Sequence, residues 1–126
     1  EKVAHAMYAA LGDHPGVAQL LLEHIPVGPN AMVIREASLN MLLQNGFPPA
    51  LAVRSYATLS RYVLGFAIQA SASPDRNAEL DAELFRGIDL TRFPATLAVA
   101  DSLPVELEEE FAFGLGLIID GLSRIR

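Results

Sequence analysis

The chain contains no cysteine and no tryptophan, and aromatic residues make up only 7% of its 126 positions. Without cysteine it has neither a disulfide framework nor thiolate chemistry, which fits a reducing cytoplasm. Basic residues are also scarce: nine Lys and Arg stand against 15 Asp and Glu, for a net charge of −6. That balance repels phosphate backbones, so this segment by itself is not expected to bind nucleic acid. Long apolar runs are missing too. The longest uncharged stretch, Ala37–Val53, is interrupted by Asn40, Gln44, Asn45, Gly46 and a proline pair, which excludes a membrane span. The opening E-K-V-A-H-A-M lacks the basic start and apolar core of a signal peptide. It also lacks an initiator Met, as expected of a fragment of a longer protein. No internal repeat or low-complexity segment is visible.

What the chain has in excess is grease. Its hydrophobic fraction is 52% and its mean hydropathy +0.31, high for one small soluble domain. The surplus is expected to face a partner, a cavity or both.

The pattern is helical throughout. Glu1–Leu11 carries Val3, Met7, Ala10 and Leu11 at helical spacing and is expected to stop at Gly12. Asp13 is then placed to cap a short helix with Pro15 in its first turn. Ile25–Pro29, with two prolines and a glycine, reads as a loop. The next helix runs from Asn30 to Asn45, closed by Gly46, with Ala31, Ile34, Ser38, Met41 and Leu42 on its dry face. Arg35 falls inside that dry face, the one local breach of pattern, and such breaches often mark function. Pro48-Pro49 opens a long helix to Ser71 whose second half, Y-V-L-G-F-A-I-Q-A-S-A, is uncharged on every side. Ser73–Gly87 is the most charged part and reads as a linker with a short helix. Residues 93–100 make another short helix. Carboxylates at Glu106, Glu108, Glu109 and Glu110 suit the start of the last one, 105–126.

That last helix, E-F-A-F-G-L-G-L-I-I-D-G-L-S-R-I-R, reads as the element around which the rest is organised. Phe111, Leu115, Ile118, Leu122 and Ile125 form one stripe and Gly114 and Gly121 stack along its flank, while Phe113 and Leu117 occupy another side. Three glycines inside a helix cost about 3 kcal/mol relative to alanine, which points to close approach of another backbone. No segment has strand period, so the fold is all-α. Two over-apolar helices, 49–71 and 105–126, are what a dimeric four-helix bundle with two helices from each subunit requires. The expected dimer interface is Gly65, Ile68, Phe111, Gly114, Leu115, Leu117, Ile118, Gly121 and Leu122.

Catalytic and metal signatures are missing. His5, His14 and His24 form no HExxH, ExxH or close pair. There is no G-x-S-x-G, P-loop or dinucleotide fingerprint, so no enzyme, metal or cofactor is expected. Isolated polar groups on apolar helices, namely Arg35, Ser38, Tyr56, Ser60, Gln69 and His24, are instead the ingredients of a pocket for a small molecule. Met41, on the dry face of the same helix as Ser38, extends this expected lining. Each polar residue also has a plainer reading: Arg35 reaching solvent or a surface carboxylate, His24 capping a helix, Tyr56, Ser60 and Gln69 satisfied in the core.

The order of these signals resembles the C-terminal domain of the TetR family of transcriptional repressors, and within it the tetracycline repressor-like branch. The resemblance is carried by H-P-G-V-A-Q-L-L-L (14–22), P-V-G-P-N (26–30), L-L-Q-N-G-F (42–47), Y-V-L-G-F-A-I-Q (62–69) and F-A-F-G-L-G-L-I-I-D-G-L (111–122). It implies a helical effector-binding and homodimerisation domain, DNA being bound by an N-terminal helix-turn-helix domain absent from this fragment. It also implies a departure. The family's metal-ligating His falls at Leu21 and its water-holding Glu at Gln69. The drug-gripping Asn and Phe fall at Val3 and Met7, a Thr at His24 and a Gln near Ser38. Leu21 cannot ligate a hard cation, so the expected effector is a hydrophobic small molecule rather than magnesium–tetracycline, and an anionic one if Arg35 faces inward. Two other readings stay open: a purely structural dimerisation module with a filled core, and a bundle enzyme using a bound cofactor.

Overall fold

The computed structural model describes residues 1–72 and 78–126. Among the described residues seven α-helices follow one another: α1 (Lys2–Asp13), α2 (Pro15–Glu23), α3 (Pro29–Gln44), α4 (Pro49–Ala72), α5 (Ala78–Arg86), α6 (Pro94–Ala98) and α7 (Leu107–Ile125). Two 3₁₀ turns, Leu90–Arg92 and Ala100–Ser102, flank α6. No strand occurs among the described residues, and the all-α expectation holds. Of the linker expected over 73–87, residues 73–77 lie outside the described residues.

Proline sets the starts of these helices. Pro15, Pro29 and Pro94 occupy first-turn positions, where the missing N–H would have had no helical partner. The capping expected of Asp13 does not occur: α1 runs through Gly12 to Asp13, and His14 stands at the junction with α2 without a side-chain cap bond. The end of α3 follows local chemistry closely. Gly46 adopts φ +86°, the left-handed conformation that glycine adopts without penalty. The Phe47 N–H then bonds the Leu42 carbonyl at 3.2 Å and the Gly46 N–H that of Leu43 at 3.0 Å. This double closure, with Phe47 buried behind it, satisfies carbonyls that the helix end would leave bare.

The hub of the fold is α4, which packs against α1, α2, α3 and α7. This corrects the expectation that the last helix organises the chain. The buried residues of α4 are small or slim, Ala52, Ser55, Val63 and Ala67, and facing Ala18 of α2 is fully buried as well. Small side chains let helix axes approach closely, so one helix can touch four others. The α5–α6 region differs: among the described residues α6 packs only on its flanking 3₁₀ turns.

Packed against α4, α7 turns Phe111 and Leu115 inward, each 1% exposed. Phe111 is ringed by aromatics. Tyr8 stacks on it at 4.2 Å between centroids, Tyr62 at 5.5 Å, and His5 and Phe66 present edges at 5.4 Å. The Tyr62 hydroxyl donates to the Phe111 carbonyl at 2.8 Å, tying α4 to the first turns of α7. Phe111 and Leu115, expected at a dimer interface, are thus filled into the core of the chain itself. The Gly114 position has a different cause from the one inferred. What approaches it is the Tyr62 ring, since a Cβ there would overlap the hydroxyl and lie 3.1 Å from Cζ. By contrast, a Cβ at Gly65, Gly116 or Gly121 would meet nothing within 4 Å.

Two results should follow from this packing. Gly114→Ala should destabilise the chain by about 1–2 kcal/mol in urea denaturation, overcrowding outweighing the gain in helix propensity. Gly12→Ala, in the last turn of α1 where a Cβ would meet nothing within 4 Å, should stabilise it by about 0.5–1 kcal/mol. The phenols give a pH dependence. Burial raises the pKa of Tyr8 and Tyr62 above 10.0, with Glu108 and Glu110 respectively adding to it and the Leu115 backbone opposing it at Tyr62. The fold favours the neutral phenols, so this stabilisation is complete below the unfolded value near pH 10 and lost as pH rises through the folded values. The urea midpoint should fall above pH 10, and fall less steeply in Tyr62→Phe.

Candidate functional site

Four helices leave a cavity between them. Val3, Ala4 and Met7 of α1 form one wall with Glu1 before them; Ile34, Ser38, Met41 and Leu42 of α3 form the opposite one. Tyr56, Leu59, Ser60 and Val63 of α4 supply the back, and Leu115 and Ile119 of α7 close the end. On each helix the lining follows i, i+3, i+4 spacing, the periodicity of a single helical face. The interior measures about 100 Å³, and about 660 Å³ once the solvent-filled mouth is counted.

The walls are apolar apart from three hydroxyls and Glu1. Ser38 already donates to the Ile34 carbonyl at 2.8 Å, so it offers a visitor only lone pairs. Tyr56 and Ser60 sit one turn apart on α4, and both hydroxyl-bearing side chains are half-buried. They are the groups free to orient a polar atom of a bound molecule.

Among the residues expected to bind ligand, Met7, Ser38, Met41, Tyr56 and Ser60 meet in this cavity, whereas Leu21, His24, Arg35 and Gln69 do not line it. Leu21 packs against the core cluster, and His24 and Gln69 are exposed. Arg35 reaches backward: its guanidinium donates to the Pro26 carbonyl at 3.1 Å and to the Met32 sulfur at 3.3 Å. It ties α3 to the loop before it and is not placed as a counter-charge in the cavity. The breach in the α3 pattern thus has a structural cause. Sequence reasoning assigns Leu115 to a partner with the rest of its stripe and gives Ile119 no role. Their i, i+4 spacing, in step with Tyr56–Ser60 and Leu59–Val63, was the available signal.

Metal chemistry finds no donor set here. Leu21 has no donor atom, and neither it nor Gln69 lines the cavity. Among the described residues no three His, Asp or Glu side chains gather as a metal site.

The fold is similar to that of known regulators. Over 96% of this chain and 60% of the other, it matches the Streptomyces coelicolor TetR family protein ActR in complex with actinorhodin, with a TM-score of 0.80 and 26% identity. Apo ActR matches at 0.78 and 26%, over 94% of this chain and 58% of that one. A possible TetR family transcriptional regulator from Streptomyces coelicolor A3(2) matches at 0.79 and 25%, over 98% and 62%. The chain thus spans about 60% of the length of these proteins. Among curated proteins none matches. Residues 1–126, the whole chain, match the model of the tetracyclin repressor-like C-terminal domain. The chain therefore belongs to the TetR family, as a C-terminal domain of the tetracyclin repressor-like type.

Proposed function

We propose that this chain is the effector-binding and dimerisation part of a cytoplasmic transcriptional repressor, and that it has no enzymatic activity. In this reading a hydrophobic small molecule enters the cavity and a second copy of the chain covers the outer face of α7. Operator DNA is bound through a preceding helix-turn-helix domain. The observation that carries the reading is that α1 forms a wall of the cavity. The first helix is the one that would lead to the DNA-binding domain, so a molecule wedged between Met7 and α3 acts directly on the connection. A ligand changes DNA affinity only as far as it prefers one α1 position over another. The likeness to ActR, a relative solved with a bound small molecule, supports the same reading.

One observation favours the alternative of a structural dimerisation module without effector. The enclosed volume of about 100 Å³ is below the roughly 300–1,000 Å³ of most ligand pockets. The mouth supplies the missing space, and α3 buries none of its residues fully, so that wall can yield at small cost. Native mass spectrometry of the chain purified from cells decides between the two. A dimer carrying a co-purifying small molecule is the expected result; a dimer that stays bare, and that takes up nothing from a library of apolar compounds, would favour the module.

A further inference from the structure

We infer that the cavity selects uncharged apolar molecules and rejects anions of the same shape. The inference rests on the reading of the cavity as an effector site and adds the class of molecule it admits. Among the described residues no Lys, Arg or His lines the cavity; Glu1 is the one acidic residue of the lining, and the other polar groups there are the hydroxyls of Ser38, Tyr56 and Ser60. Arg35, on the same helix as the lining residues Ile34 and Ser38, is held by the Pro26 carbonyl and the Met32 sulfur, away from the lining. An anion entering this space exchanges its water shell for apolar walls without a counter-charge, which is strongly unfavourable. The net charge of −6 adds repulsion on approach. An uncharged ring system meets none of these penalties and gains from burial against Met7, Leu42, Leu59, Val63 and Ile119.

The test uses two fluorescent probes with the same rings: N-phenyl-1-naphthylamine, which is neutral, and 1-anilinonaphthalene-8-sulfonate, which adds one negative charge. The chain is acetylated at its N-terminus so that the amino group of Glu1 contributes no charge. The neutral probe should bind at least about tenfold more tightly than the sulfonate, and Val3→Trp, a half-exposed position at the mouth, should weaken its binding. Ile34→Trp, exposed on the opposite wall, serves as a second block, with helical circular dichroism confirming that each variant folds. Met41→Lys should close the gap between the probes about tenfold, because a lysine stem can lie along the apolar wall while its ammonium reaches the mouth. Equal affinity for both probes would overturn the selectivity while leaving the effector site standing. A gap that Met41→Lys does not narrow would do the same. Binding of neither probe, or binding that neither tryptophan weakens, would overturn both.

Discussion

Phe111→Ala is expected to remove about 3–5 kcal/mol of stability, the cost of deleting a large aromatic from a filled interior. Few positions of the chain unite so many contacts. The ring is 1% exposed and touches His5 and Tyr8 of α1 and Tyr62 and Phe66 of α4, so it holds three helices together. Aromatic pairs at these separations add roughly 0.5–1.5 kcal/mol beyond area burial. Alanine would leave the faces of Tyr8 and Tyr62 against empty space. With total stability of natural domains at about 5–15 kcal/mol, the loss should show as a fall in melting temperature on the order of 10–20 °C. Phe111→Leu, which keeps most of the volume, should cost about half as much or less. The consequence reaches the cavity, because Tyr8 and His5 belong to the helix that carries Val3, Ala4 and Met7. Probe binding should therefore weaken in Phe111→Ala even where the chain remains folded. A loss below about 1 kcal/mol would mean that this cluster is not the centre of the core.

Much of this fold is written locally. Helix starts are legible because proline at a first turn has a chemical reason to be there, and the end of α3 is legible because Q-N-G-F places glycine where a left-handed residue is required. The apolar content of α4 also pointed to a helix in need of cover, which α1, α2, α3 and α7 supply. Which side of each helix meets which neighbour is not written locally. Both sides of α7 are apolar, Phe111–Leu115–Ile119 on one and Phe113–Leu117 on the other, so periodicity alone had no means of telling inside from outside. The decision rests with Tyr62, forty-nine positions from Phe111, whose hydroxyl bonds the Phe111 carbonyl and whose ring occupies the space over Gly114. A contact between residues so distant in the chain leaves no trace in a local window.

The site was legible to a similar depth. Ser38 and Met41 came from the dry face of α3, and Tyr56 and Ser60 from isolated polarity on α4; all four line the cavity. Arg35 misled because a charge within an apolar face has two physical outcomes, facing a ligand or turning to a backbone carbonyl. The carbonyl of Pro26, nine residues earlier, was within reach. Val3 and Met7 were placed by family resemblance, since their own pattern, that of an ordinary amphipathic helix, says nothing about a cavity.

The joint substitution of Phe113 and Leu117 by glutamate is expected to turn a dimer into a folded monomer. Within the protomer Phe113 is 70% exposed and Leu117 59%, and with Gly121 they mark one stripe at i, i+4, i+8 on the side of α7 away from its core. Large apolar groups in such a row are costly to leave in water and suit a self-complementary contact across a twofold axis. The open space over Gly116 and Gly121 would let a second helix come close. Glutamates on this stripe would set like charges against one another in an apolar contact, a penalty of several kcal/mol. The dimer dissociation constant should therefore rise at least about 100-fold. The fold should survive, because neither side chain contributes to the protomer core; surface changes of this kind usually stay within about 0.5 kcal/mol. Leu115→Glu, between them in sequence but on the buried side of α7, should instead unfold the chain by burying an unpaired charge. Sedimentation equilibrium across a dilution series, with circular dichroism on the same samples, separates the two outcomes. A double variant as dimeric as its parent would move the interface to another face, and a parent that is monomeric at micromolar concentration would remove the twofold pairing altogether.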